Sequence, residues 1–191
     1  MVDLANKNIE GFEYNKKFTS CPSLSFFKGR RFLAINDKYL AILLNEPGKI
    51  NIALSNEPRN LSRDNYKIIE GVDSNILDLE FSPFDSNILA YSNDNKSVIL
   101  AKINDEKNNF GCNNISYSKH TNEAINFVNF NPIALNIMCS CSLKGELHVW
   151  DSNKLEKLFE YNIQNNPFEI SWNPDGPIIG ISTKKKRILL L

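Results

Sequence analysis

The sequence predicts an all-β fold, and three observations support that prediction. Apolar and polar residues alternate in short runs, the period-2 pattern of half-buried strands. Asn, Asp, Pro and Gly separate these runs, as turns require. A motif of an aromatic residue, a small polar residue and Pro recurs along the chain. The sequence also lacks a window of about a dozen residues with the apolar stripe of an amphipathic helix.

The alternation is clearest in residues 75–81 (NILDLEF) and 124–130 (AINFVNF), and looser in 147–150 (LHVW). Residues 151–161 (DSNKLEKLFEY) come nearest to a helical pattern. We interpret them as a turn followed by the first strand of the next unit, with a short helix as the alternative.

The recurring motif marks an internal repeat. Phe81, Phe130 and Trp172 each end a strand pattern, and their spacings are 49 and 42 residues. Each is followed by Pro two positions later, which cannot donate to a strand ladder. A second and a third apolar strand pattern follow in every case. A period of about 40–50 residues with about four short strands is typical of the blades of a β-propeller.

The predicted architecture is therefore a partial propeller of about three blades preceded by N-terminal strands. We assign residues 1–25 to a partly irregular N-terminal segment and 26–191 to the propeller. Strands are expected within 31–54, and blades at about 66–105, 115–151 and 159–191. The three aromatic anchors should be largely buried, flanked by Leu79, Val128 and Ile170.

The second unit ends in Trp150-Asp151, which resembles the dipeptide that names the WD repeat. In that family a His, a Ser or Thr, an Asp and a Trp form a hydrogen-bonded relay. His120, Ser140 and Trp150 resemble three of its members, but Lys144 stands at the Asp position. The first and third units retain less of the relay. We therefore expect weakened blades whose polar groups reach water.

The order of segments resembles one WD-repeat family, the coronins. The similar segments are 32–42 (FLAINDKYLAI), 48–54 (GKINIAL), 68–90, 171–176 (SWNPDG) and 182–188 (STKKKRI). The resemblance covers about residues 26–191 and implies a seven-bladed propeller that binds actin filaments. The family propeller is about twice as long, so the match corresponds to its N-terminal half only. The C-terminal blades and the oligomerising coiled coil of the family have no counterpart here.

Composition and inventory argue against other function classes. Lys+Arg and Asp+Glu both total 22, so no overall charge favours nucleic acid. The chain has two histidines and no phosphate-binding glycine motif, and we expect no catalytic residue, metal or cofactor. His148 is interpreted as a half-exposed strand residue. Neither a signal peptide nor a transmembrane segment is predicted, and the four cysteines are interpreted as reduced cytosolic thiols.

Two groups of basic residues are candidate contacts for actin, which the resemblance implies as the partner. They are Lys28, Arg30 and Arg31 before the first strand, and Lys184, Lys185, Lys186 and Arg187 in a predicted turn. The first segment offers no clear counterpart of the family's actin-contacting basic residue. We interpret the second first as a solvated hairpin turn, with a contact for an acidic surface such as actin or phospholipid head groups as the functional alternative.

The resemblance implies non-catalytic actin-filament binding in the cytoplasm, as part of cytoskeletal regulation. Two alternatives stay open: a degenerate WD-repeat scaffold that binds another cytoplasmic protein without actin, and a truncated product without stable function. We also expect that the last strand, within 188–191, leaves an open sheet edge through which the chain self-associates.

Overall fold

The computed structural model describes residues 31–44, 46–55, 67–70, 74–106, 109–119, 123–154, 156–164 and 166–191. These residues form fifteen strands in four antiparallel sheets, which confirms the all-β prediction. The described part of the chain holds no helix that is long and apolar enough to cross a membrane.

Sheets 1 and 2 each contain four strands, hydrogen-bonded in chain order. Sheet 1 consists of β1 (Leu33–Ile35), β2 (Tyr39–Leu43), β3 (Lys49–Leu54) and β4 (Lys67–Glu70). Sheet 2 consists of β5 (Ile76–Phe81), β6 (Ile88–Asn93), β7 (Ser97–Glu106) and β8 (Asn109–Lys119).

Sheets 3 and 4 repeat the same meander. Sheet 3 consists of β9 (Ile125–Phe130), β10 (Ile137–Ser142), β11 (Glu146–Asp151) and β12 (Glu156–Asn162). Sheet 4 has three described strands, β13 (Pro167–Trp172), β14 (Ile179–Thr183) and β15 (Ile188–Leu190). The first strands β1, β5, β9 and β13 contact one another in sequence, so they are the inner strands of a partial propeller.

The sheets and the predicted units are offset by one strand. The predicted unit at 66–105 begins with β4, but β4 pairs with β3 and completes sheet 1. Residues 151–161 do form a turn and then strand β12, as predicted, yet β12 pairs with β11 and completes sheet 3. The offset arises because the chain finishes the outer strand of one sheet before it crosses to the next, so a sequence unit that begins at an outer strand spans two sheets.

Apolar side chains on both faces hold consecutive sheets together at interfaces that we call seams. Three clusters of buried residues fill seams 1–2, 2–3 and 3–4. The anchors Phe81 and Phe130 are buried as predicted, whereas Trp172 is only half-buried on the last sheet. The flanking residues are buried in all three repeats: Leu79, Val128 and Ile170.

The two ends of the sheets differ in how their loops are fixed. The turns after the inner strands share one end, which we call the first-turn end. There, the Asn36 side-chain amide donates to the Ser86 carbonyl (2.9 Å) across seam 1–2, and that of Asn131 donates to the Gly176 carbonyl (2.6 Å) across seam 3–4. Gly176 has a φ of 85°, and a Cβ there would lie 2.4 Å from Ile133 Cγ1. Only glycine therefore permits this close approach of the two turns.

The opposite end, which we call the connection end, carries the links between sheets and the turns after the second strands. The Lys184 amide donates to the Asn166 carbonyl (3.0 Å), which joins the turn between β14 and β15 to the link before β13. In sheet 2 the Asp94 amide donates to the Asn75 carbonyl (3.0 Å) in the equivalent way. Strand β1 also begins at this end, because it runs parallel to β5 as the inner strand of its sheet.

Replacing Phe130 tests the seam assignment. Phe130→Ala should lower the free energy of unfolding by about 3–5 kcal/mol, because it removes a buried aromatic from seam 2–3. The matched control is Phe168→Ala, whose side chain is 66% exposed and whose loss should cost less than about 1 kcal/mol. Chemical denaturation measures both, and equal effects of the two substitutions would contradict the seam assignment.

Candidate functional site

Arg31, one of the predicted actin contacts, forms several hydrogen bonds within the structure. Its guanidinium donates to both carboxylate oxygens of Asp78 (2.6 and 2.9 Å) and to Glu80 (3.0 Å). It also donates to the Val128 carbonyl of sheet 3. Asp78 is completely buried, and Arg31 is about one-third exposed. Arg31 thus joins the start of sheet 1 to the inner strands of sheets 2 and 3.

The two carboxylates of this cluster also hold the next inner strand. Asp78 accepts the Val128 amide (2.9 Å), and Glu80 accepts the Phe130 amide (2.7 Å). Burial alone would lower the pKa of Arg31, but the hydrogen bond and charge of Asp78, together with those of Glu80, raise it. Burial raises the pKa of Glu80, and Arg31 opposes that rise. Ion pairs with Arg31 and hydrogen bonds from backbone amides thus stabilise both carboxylates inside the seam, which is a structural role.

The second predicted group of cations lies in an exposed turn. Lys184, Lys185, Lys186 and Arg187 connect β14 to β15, and all four side chains are exposed. Hydrogen bonds with Thr183 fix the turn: the backbone amide of Lys186 donates to the Thr183 carbonyl (2.9 Å), and the backbone amide of Arg187 donates to the Thr183 hydroxyl (3.3 Å). This turn lies at the connection end, where β1 also begins, but on sheet 4 rather than sheet 1. Lys28 and Arg30 lie outside the described residues.

Two of the predicted relay residues are in direct contact. The Trp150 indole N–H donates to the Ser140 hydroxyl (2.7 Å), and both side chains are buried. The expectation that these polar groups reach water is therefore wrong for this pair. Lys144, at the Asp position, instead forms an ion pair with Glu123. His120 lies outside the described residues.

His148 is buried rather than half-exposed, contrary to the sequence-based interpretation. It lies on the same face of β11 as Trp150, with ring centroids 5.1 Å apart in an edge-to-face arrangement. That face belongs to seam 2–3, where the neighbouring sheet covers it. Burial lowers the pKa of His148, and the carboxylate of Glu146, 3.1 Å from Nε2, opposes that shift in part.

Glu146, His148 and Glu160 each place one potential metal ligand atom within 4.8 Å of the others. Glu160 also forms an ion pair with Lys157, whose ammonium already neutralises that carboxylate. We assign no metal to this cluster.

A cavity of about 340 Å³ opens at the first-turn end of seam 2–3. Five of the residues that line it are apolar and five are polar: Phe84, Ile88, Leu100, Phe130 and Leu135, and Ser82, Asp85, Asn136, Ser152 and Asn153. Sequence reasoning missed this feature, because residues from three separate turns form it.

Comparison with known proteins gives two curated relatives. Coronin-like protein crn1 of Schizosaccharomyces pombe is 22% identical over 162 residues, which cover 82% of this chain and 27% of that protein. Coronin-7 of Rattus norvegicus is 27% identical over 116 residues, which cover 59% of this chain and 12% of that protein. The chain thus spans about a quarter or less of the length of these relatives. No protein-family model matches the chain.

The WD40 domain of Toxoplasma gondii coronin superposes with a TM-score of 0.76 at 22% identity, over 83% of this chain and 41% of that one. The chain is similar to the coronins. Its coronin-like sheets also share their fold with a chain of the mitotic checkpoint complex (TM-score 0.65, 14% identity, 83% and 47% covered). The computationally designed Ika4 protein matches with a TM-score of 0.66 at 18% identity, over 88% of this chain and 94% of Ika4. These neighbours confirm the WD-repeat propeller fold.

Removing the Arg31 guanidinium tests its structural task. Arg31→Met should lower the free energy of unfolding by about 3 kcal/mol, because Asp78 would remain buried without its cation. Arg187→Met, in the exposed turn, removes the same charge and should change stability by less than about 0.5 kcal/mol. Urea titrations measure the free energy of unfolding of both variants. An Arg31→Met variant that is as stable as the unmodified chain would contradict the structural role of Arg31.

Burial of His148 predicts a pH dependence of stability. Below about pH 6.5 the unfolded chain binds a proton at this imidazole that the folded chain binds less readily. The free energy of unfolding should therefore fall as the pH decreases from 7 to 5. His148→Asn should flatten that fall, as measured by unfolding at several pH values. Parallel pH profiles of the two proteins would show that His148 does not contribute.

Proposed function

We propose that the chain is a non-catalytic, coronin-like module that binds actin filaments and acts in the cytoplasm, at the cytoskeleton. The proposal is supported by the order of coronin-like segments and by the similarity to proteins named coronins. A propeller suits such a role because its seams fix the sheets while the loops at its ends remain free to contact a partner.

The exposed turn of Lys184, Lys185, Lys186 and Arg187 is the observation that carries the proposal. It places four consecutive cations at the connection end, where each side chain can meet an acidic surface. Exposed charges of this kind accelerate association and make binding sensitive to salt. Arg31 is a weaker candidate because Asp78 and Glu80 already hold its guanidinium. Lys28 and Arg30 remain candidates on sequence grounds.

Co-sedimentation with actin filaments tests the proposal. The chain should pellet with filaments at low salt, and about 0.15 M salt should weaken binding because screening shortens the reach of surface charges. Lys184→Glu/Lys185→Glu should reduce pelleting at least several-fold without changing stability. The matched control is Lys38→Glu/Lys154→Glu, which makes the same charge change in exposed turns at the opposite end.

The control variant should bind as the unmodified chain does. If the folded chain pellets equally with and without filaments at low salt, the actin proposal is wrong. The second candidate function, a WD-repeat scaffold for another protein, then takes its place. The apolar cavity at seam 2–3 favours that candidate, because exposed Phe84 and Leu135 at its mouth offer an anchoring pocket for a partner's side chain.

A further inference from the structure

The three seams differ at the first-turn end in the residue that follows the inner strand. In seam 1–2 this residue is Asn36, whose side-chain amide donates across the seam to the Ser86 carbonyl (2.9 Å). In seam 3–4 it is Asn131, which donates in the same way to the Gly176 carbonyl (2.6 Å). In seam 2–3 the position holds Ser82, whose shorter side chain makes no hydrogen bond across the seam within the described part of the chain.

Ser82 keeps the other task of this position, which is to fix its own turn. Its hydroxyl oxygen accepts the backbone amides two and three residues further on (3.2 and 3.3 Å). The side-chain oxygen of Asn131 accepts the equivalent two amides (3.0 and 2.8 Å). The cavity of about 340 Å³, which Ser82 lines, therefore opens where two well-fixed turns lack the hydrogen bond that joins them in the other seams.

The apolar part of this cavity suits a large apolar side chain. Leu100 and Phe130 belong to the buried cluster of seam 2–3. Phe84 and Leu135 are apolar residues of the two turns and are exposed. The volume is roughly twice that of a ~150 Å³ cavity that holds a benzene ring, so an aromatic or a large aliphatic side chain fits.

Asp85 is the one charged residue among those that line the cavity, and it is half-buried. One of its carboxylate oxygens accepts the Asn87 amide (2.9 Å), but Asp85 forms no ion pair with any residue that the structure describes. Lys102, which pairs with the lining residue Ile88, is exposed and does not line the cavity. A half-buried carboxylate without a cation favours a partner that brings one.

Two amide side chains add hydrogen-bonding capacity at the same place. The side chains of Asn136 and Asn153 line the cavity and make no hydrogen bond to the described residues. A primary amide both donates and accepts, so it can bind the N–H and C=O groups of a peptide backbone. The lining thus combines apolar area, one negative charge and two amides.

We propose that this cavity binds a peptide segment of a partner protein in which a large apolar side chain stands beside Lys or Arg. The apolar side chain fills the cavity, the cation pairs with Asp85, and the two amides bind the peptide backbone. The inference rests on the scaffold function, the second candidate above, and names the chemistry of its partner. It does not depend on actin binding by the turn of residues 184–187, which lies at the opposite end.

Selection from a displayed library of random short peptides tests the chemistry of the partner. The baits are the 191-residue chain and its Ser82→Asn variant. Ser82→Asn should keep the turn and restore the cross-seam hydrogen bond, with the Leu135 carbonyl as acceptor. Leu135 lies two residues before Ile137, as Gly176 lies two residues before Ile178. The restored bond should narrow the cavity.

Peptides that bind the unmodified chain but not the Ser82→Asn variant should share an aromatic or large aliphatic residue beside Lys or Arg. Enriched peptides that depend on Ser82 but lack a basic residue would overturn the proposed chemistry and leave the scaffold function in place. If the selection gives no peptide that depends on Ser82, both the chemistry and the use of this cavity by a scaffold are wrong. Actin co-sedimentation of the Ser82→Asn variant should equal that of the unmodified chain in every case.

Fluorescence anisotropy with a selected peptide measures the contribution of the charge. Asp85→Asn keeps the oxygen that accepts the Asn87 amide and removes only the charge, so it should raise the dissociation constant roughly twofold to fivefold. The matched control is Asp175→Asn, the same change in the exposed first turn of sheet 4, which should bind as the unmodified chain does. Equal dissociation constants of the two variants would refute the ion pair.

Leu135→Ser locates the peptide even if Ser82→Asn fails to fold. Leu135 is 63% exposed, so its replacement should leave the fold intact. The dissociation constant should nevertheless rise about tenfold or more, because the anchoring side chain loses an apolar wall. An unchanged dissociation constant would show that the peptide binds elsewhere and would overturn the proposal.

Discussion

Each internal sheet of this chain is apolar on both faces, and the whole architecture depends on that constraint. A sheet with one apolar face can rest on a single layer, but these sheets need a neighbour on each side. Alternation along the strands divides the side chains between two seams, so Leu79 faces one neighbour and Ala90 the other. Small residues at the position of Ala90, namely Cys139 and Gly180, let the inner strand of the next sheet approach closely. The radial repetition of sheets follows from these requirements.

Polar contacts distinguish the three seams from one another, because the pattern of apolar residues is nearly the same in all of them. Seam 1–2 is tied by Asn36 and seam 3–4 by Asn131, both through side-chain amides at the first-turn end. Seam 2–3 instead contains Asp78 and Glu80, which accept backbone amides from the next strand while Arg31 forms ion pairs with both of them. A buried charge without its partner is costly, so a wrong pairing of sheets would be penalised. These contacts therefore select one order of sheets among several with similar apolar burial.

Sequence patterns predicted what depends on neighbouring residues and missed what depends on distant ones. Strand alternation and the anchors Phe81 and Phe130 can be read locally, and both agree with the structure. The sheet to which an outer strand belongs depends on pairing, which period-2 alternation does not encode, and this produced the offset of one strand. Arg31 looked like a free surface cation because its partners lie 47, 49 and 97 residues away. His148 looked half-exposed because alternation gives no sign that a second sheet covers its strand.

The two candidate contact surfaces lie at opposite ends of the sheets and depend on different parts of the chain. The cationic turn is fixed by Thr183 within sheet 4 and by the link before it. The cavity depends on seam 2–3, where Phe130 and Leu135 of sheet 3 contribute to its lining. Sheet 3 borders sheet 4, but the cavity and the cationic turn share no residue and lie at opposite ends of the strands. Binding at the two ends should therefore be independent, and loss of binding at both ends after one substitution would indicate loss of the fold rather than communication between sites.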